Sequence, residues 1–143
     1  MPFRVQWYIP GQIIYARYEG TVDVDELKRS ILEMNALRSL SNYPLVHDLV
    51  DGRRVVQSVG LKETMKAVPA QSHPRMGWSI NVGEASKLQK FIESVATQVL
   101  GVRYRHFDTI EEAVAFLKEI DSALDWSNAN AALLSAAPEK TDI

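Results

Sequence analysis

Phe3, Val5, Trp7 and Ile9 alternate with Arg4, Gln6 and Tyr8, the period of two that predicts a half-buried strand. Pro10-Gly11 supplies turn chemistry, and Gln12 to Glu19, rich in Ile and Tyr, reads as a second strand. Strands joined this tightly must run antiparallel, so a hairpin opens the chain. Asp23-Val-Asp-Glu26 follows as a capping-box pattern, with acids at the positive end of a helix. Val24, Leu27, Ile31, Met34, Leu37 and Leu40 then recur at three- and four-residue spacing, which predicts an amphipathic helix of about four turns.

Ser41-Asn42-Tyr43-Pro44 ends that helix, and the apolar run Leu45-Val-His-Asp-Leu-Val50 predicts a third strand. This strand empties into a polar loop at Asp51-Gly52, and Gln57-Ser58-Val59-Gly60-Leu61 then opens a short helix over residues 59–68, closed by Pro69. Met76, Trp78, Ile80 and Val82 alternate with Gly77, Ser79 and Asn81 as a fourth strand. A helix over residues 85–100 buries Leu88, Phe91, Ile92, Val95, Val99 and Leu100, with Gly101 as its stop. Residues 102–107 make a fifth strand, and Asp108-Thr109 caps a helix striped by Ile110, Ala113, Val114, Leu117 and Ile120.

The order β-β-α-β-α-β-α-β-α predicts an α/β fold: a mixed, mostly parallel five-stranded sheet with right-handed crossovers. The clean alternation in the first and fourth strands leaves one sheet face only partly covered. Residues 1–121 form this domain. Residues 122–143 are a C-terminal extension, a weak helix over 122–136 and then a disordered polar tail.

At 143 residues the chain is long enough for one well-packed domain. Its net charge of −2 gives no electrostatic reason to expect a nucleic-acid partner. With no cysteine, disulfides, thiolate catalysis and thiolate metal sites are excluded. The N-terminus reads as a strand and not as a signal peptide, and no apolar run reaches the ~20 residues of a transmembrane segment, so a soluble, cytoplasmic protein is expected.

Candidate chemistry is sparse. Asp48 and Asp51 could serve acid–base work or hold a divalent ion, but their odd spacing puts them on opposite strand faces, and turn roles beside Gly52 are the simpler reading. His47, His73 and His106 show no metal-ligand spacing, although His47 and His106 could meet if their strands are neighbours. Arg53-Arg54, Arg103 and Arg105 cluster at strand ends, where an anionic ligand or phospholipid headgroup could use them. Trp7, Tyr8, Trp78 and Tyr104 are core candidates that would form an apolar patch on any open face. No nucleophile–base pair, metal box or cofactor loop can be assembled, so neither an enzyme nor a bound cofactor is expected.

The element order, with Asp48-Leu49 on a strand and Gln57-Ser58-Val59-Gly60-Leu61 at the next helix start, resembles the STAS domain of anti-sigma-factor antagonists. The ending Tyr104-Arg-His-Phe-Asp-Thr-Ile-Glu-Glu-Ala113 is similar to that family's last strand and capped helix, and the likeness spans about residues 3–120. The family's Asp-Ser-Ser-Gly-Leu motif is altered here, with Gln57 at the first acid, Val59 at the second serine and a loop one residue longer. Looser SpoIIAA-like or STAS/SEC14-like proteins share such departures. The resemblance implies a non-catalytic regulatory module that binds a protein partner such as an anti-sigma-type kinase. It implies a contact surface at Asp51, Gly52, Arg53, Gln57, Ser58 and Gly60, with Ser58 as the phosphorylated switch; as a plain alternative, Ser58 is a helix N-cap. A second reading is a small-molecule or lipid-binding domain for an apolar or anionic ligand. A flat open face would instead pair two copies as a homodimer.

Overall fold

The computed structural model describes residues 3–57, 66, 73–83 and 103–135. Its elements are β1 (Phe3–Ile9), β2 (Ile13–Thr21), α1 (Val24–Leu40), β3 (Val46–Gln57), β4 (Met76–Val82), β5 (Arg103–Phe107) and α2 (Ile110–Ile120). A 3-10 turn at Trp126–Asn128 and a short α3 (Ala131–Ser135) follow. The helix expected over residues 59–68, apart from residue 66, lies outside the described residues, as do the helix expected over residues 85–100 and the tail from residue 136.

The five strands lie in the order β1-β2-β3-β4-β5. β1 runs antiparallel to β2, and every later pair is parallel. The hairpin is closed by a turn in which the Gln12 N–H donates to the Ile9 carbonyl at 2.9 Å. Pro10 fixes the first central residue, and Gly11, at φ +78°, takes the left-handed position that a type II turn requires. The expected Asp23–Glu26 capping box is formed on α1, and the cap expected at Asp108-Thr109 is Thr109, which makes a capping box with Glu112 on α2.

Both faces of the sheet carry apolar clusters. Ile14, Ala16, Tyr18 and Val46 join Phe3 and Met34 under α1, while Ile13, Tyr15, Leu49, Ile80 and Val82 join Ile110, Ala113 and Leu117 under α2. The alternation in β4 reflects the small residues Gly77 and Ser79, both buried, and not an uncovered side. Past α2 the chain returns over the same core. Leu124 is buried, Trp126 sets its ring edge-on to Tyr8 at 5.9 Å, and the Gln12 amide bonds both the Ala123 carbonyl and the Asp125 N–H.

Two expectations are corrected. The buried line of α1 is Ser30, Met34 and Arg38 with Leu27, Ile31 and Leu37 half-buried, whereas Leu40 is 75% exposed. The loop expected at Asp51-Gly52 is strand: β3 continues to Gln57, held by β2 up to the Thr21–Gln57 pair. Bulges between Arg17 and Glu19 and between Gly20 and Thr21 absorb the extra residues of β3, which is how a Gly-Arg-Arg segment stays in the sheet.

Candidate functional site

β3 carries most of the chemistry, and its alternation sends successive side chains to opposite faces. Asp48 points to the α1 side. There the Arg38 guanidinium grips it with two nitrogens, at 2.5 and 3.3 Å. Both side chains are almost wholly buried; Arg38 Nε donates to Asn35 Oδ1, and Nη1 also reaches the Val46 carbonyl. Burial pushes the Asp48 carboxyl up, and the Arg38 charge and hydrogen bonds pull it back part of the way.

His47 and Asp51 point to the α2 side. The Trp78 N–H donates to His47 Nδ1 at 2.9 Å, so the ring proton sits on Nε2 and faces Asp121 Oδ2, also 2.9 Å away. The ring stands against Gly77, where an added Cβ would meet it, beside the bulge in the β3–β4 pairing. His47 is thereby used twice and has no lone pair left for a substrate or metal. His106, expected as a possible neighbour, is separated from it by β4; its Nε2 is paired with the Gly83 carbonyl. His73 bonds Ser39 and the Arg75 N–H.

Asp51 is 1% exposed. The Tyr15 hydroxyl donates to Oδ2 at 2.6 Å, Arg53 Nη2 to the same oxygen at 2.8 Å, and Arg53 Nε and the Arg53 backbone N–H to Oδ1 at 2.9 and 3.1 Å. Burial alone would raise this carboxyl, but the Arg53 and Tyr15 hydrogen bonds outweigh it and hold it below its ordinary value. The Tyr15 phenol is pushed up by burial and by the Asp51 carboxylate.

An Asp whose folded pKa is depressed stabilises the fold above its unfolded value of about 3.9 and loses that contribution as pH falls through the lower folded value. Tyr15→Phe is therefore expected to cost roughly 1–3 kcal/mol at neutral pH. The deficit should narrow in acid as Asp51 takes a proton. Urea unfolding of both proteins at neutral and strongly acid pH measures it; a deficit independent of pH would mean that the hydroxyl does not serve the carboxylate.

Of the expected contact residues, Asp51 thus lies beneath the surface, Gly52 is half-buried within β3, and Arg53 is half-buried with its fork turned back onto Asp51. Gln57 ends the strand, and Ser58 and Gly60 lie outside the described residues. Asp48 and Asp51 do not converge. Tyr15 and Arg38 were not singled out from the sequence. The signal that could have found Arg38 is an aspartate inside an apolar strand run, which burial obliges to find a cation.

Among the described residues no group of His, Asp and Glu could hold a metal ion. An open groove of about 400 Å3 on the β1–β2 side is lined by Phe3, Arg4, Val5, Arg17, Glu19 and Glu33, a surface of mixed charge. No described helix is long and apolar enough to cross a membrane.

No family model matches the chain, and no curated protein matches it by sequence. Solved structures do. An uncharacterised protein of the DUF3478 family from Shewanella loihica, with a SpoIIAA-like fold, aligns over 80% of this chain and 91% of its own, at 12% identity and a TM-score of 0.54. The unphosphorylated anti-sigma factor antagonist SpoIIAA aligns over 82% of this chain and 99% of its own, at 13% identity and a TM-score of 0.47. The protein has a SpoIIAA-like α/β fold, the architecture expected from its element order.

Proposed function

We propose that this chain is a non-catalytic regulatory module that acts by binding another protein through the far end of β3. The observation that carries this reading is Val56, 84% exposed as the penultimate residue of a strand that outruns β4. β4 last pairs with β3 at Asp51, whereas β3 continues beside β2 to Gln57. The end of β3 therefore holds an apolar side chain in water, with Arg53, three residues earlier, paired to Asp51 and Ser58 two residues further along the chain. An exposed apolar side chain on a strand suits the centre of a protein interface. Phosphate on Ser58 would set negative charge beside this strand end and change which partner fits, as the STAS resemblance implies for an anti-sigma-type kinase.

A pull-down from the native host comparing wild type, Val56→Asp, Ser58→Asp and Ser58→Ala tests both parts. Val56→Asp should lose the partner with an unchanged melting temperature, because the residue is almost fully exposed. Ser58→Asp should alter the partner set while Ser58→Ala keeps it. If Val56→Asp retains every partner, the contact face lies elsewhere; if the two Ser58 variants behave as wild type, Ser58 is a cap.

A further inference from the structure

Among the arginines that the sequence places at strand ends, the structure sets Arg53 apart from Arg103 and Arg105. Arg53 is locked onto Asp51. Arg103 and Arg105 are exposed, stand two residues apart on the α2 side of the edge strand β5, and have no carboxylate within ion-pair distance among the described residues. Each is backed by aromatic rings. Arg103 lies over Trp78 at 6.0 Å from the ring centre, and Arg105 lies over both Phe107 at 5.3 Å and Phe116 at 4.8 Å. The rings form one surface, with Trp78 edge-on to Phe116 at 5.2 Å and Phe107 beside it at 5.3 Å.

A guanidinium over a ring gains cation–π attraction and loses rotational freedom without using its N–H donors. On α2, the Glu112 carboxylate, one turn before Phe116, is engaged by the Thr109 cap, and none of Glu111, Glu112 and Glu119 forms an ion pair with these arginines. Residues i and i+2 of a strand lie about 6.6 Å apart. Two ring-backed forks rising from neighbouring positions on one strand face suit a ligand with several phosphate oxygens close together, since each fork can take a bidentate phosphate.

We propose that Arg103 and Arg105, stacked on Trp78, Phe107 and Phe116, form a binding site for clustered phosphate groups. The same chemistry is offered by a soluble polyphosphate and by the anionic headgroups of a lipid surface. The site is on the opposite edge of the sheet from the hairpin and does not depend on the protein-contact face at Val56.

The test is calorimetric titration of the full chain with inorganic triphosphate at low salt, beside sedimentation with phosphatidic acid vesicles and with neutral phosphatidylcholine vesicles. Arg103→Met and Arg105→Met keep the apolar stems on the rings and remove the charge. Each should weaken binding by roughly tenfold or more, and the Lys variants should lose less. Gln variants serve as a second pair if a Met variant melts early. Triphosphate binding that the Met variants abolish supports the site with a soluble ligand. Binding to acidic vesicles alone, abolished by the same variants, supports it with a lipid source. No binding to either, or binding that the double Met variant retains, overturns the proposal.

Discussion

Gly77→Ala is expected to destabilise the protein by roughly 3–5 kcal/mol, combining overpacking with the loss of buried hydrogen bonds. A Cβ at this position would stand 2.3 Å from His47 Nδ1 and 2.8 Å from its Cε1. Neither side can yield easily. The imidazole is 2% exposed and pinned from both ends, by the Trp78 N–H and by Asp121. Pushing it aside would orphan a backbone donor and loosen the segment after α2, since Asp121 also accepts from the Ala123 N–H.

In a domain of this size that loss should lower the melting temperature by roughly 10 °C or more. Chemical unfolding with a double-mutant cycle checks the cause. If the clash with the ring dominates, Gly77→Ala should cost much less in a His47→Ala background than alone, so the two effects are strongly non-additive. Additive costs would mean that the glycine matters for a reason other than His47.

Arg38→Met is the second large effect. Removing the guanidinium leaves the Asp48 carboxylate buried, 3% exposed, without its counter-charge. Breaking one side of such a pair costs about 3–5 kcal/mol. The pH dependence identifies the mechanism. Without Arg38, burial raises the Asp48 carboxyl with its main opposing influence gone. A carboxyl raised in the folded state binds its proton more tightly there, so the variant loses stability as pH climbs from the unfolded value of about 3.9 through the raised one. The deficit against wild type should therefore be greatest at neutral pH and shrink on acidification.

Asp48→Leu in the Arg38→Met background should recover most of the loss, because an apolar pair of similar bulk has no charge to desolvate. Denaturant unfolding of the three proteins across pH reads all of this. A double variant no better than Arg38→Met would show that the pair is not what the arginine supplies.

The order of elements was legible because each rests on a local pattern. β1, β4 and α2 fall where period-two and period-3.6 spacing put them, and the Asp23 and Thr109 capping boxes close on their own Glu three residues later. β3 was legible only to Val50. Asp51-Gly52-Arg53-Arg54 carries the residue types of a turn, and it remains extended because β2 runs alongside it and Tyr15 reaches across to Asp51. Both facts belong to residues more than thirty positions away.

α1 illustrates the same division. Its spacing gave the helix, but the outward Leu40 and the inward Arg38 follow from what faces each. Hydrophobicity would have placed them the other way round. Arg38 is inside because Asp48, on the strand that the crossover brings over the helix, must be neutralised there.

The basic residues divide in the same manner. In sequence Arg53 and Arg105 are equivalent members of strand-end clusters; in the fold one is half-buried against an aspartate and the other is exposed on two aromatic rings. The sequence by itself determined the periodicities, the caps, the turn at Pro10-Gly11 and hence the β-β-α-β order, since all of these are set by neighbours a few residues apart. Only the tertiary structure decided which polar side chains are buried, where β3 ends and which arginines remain available. Those outcomes depend on desolvation and on partners from other strands and helices, and burial is a property of the assembled layers that no local window contains.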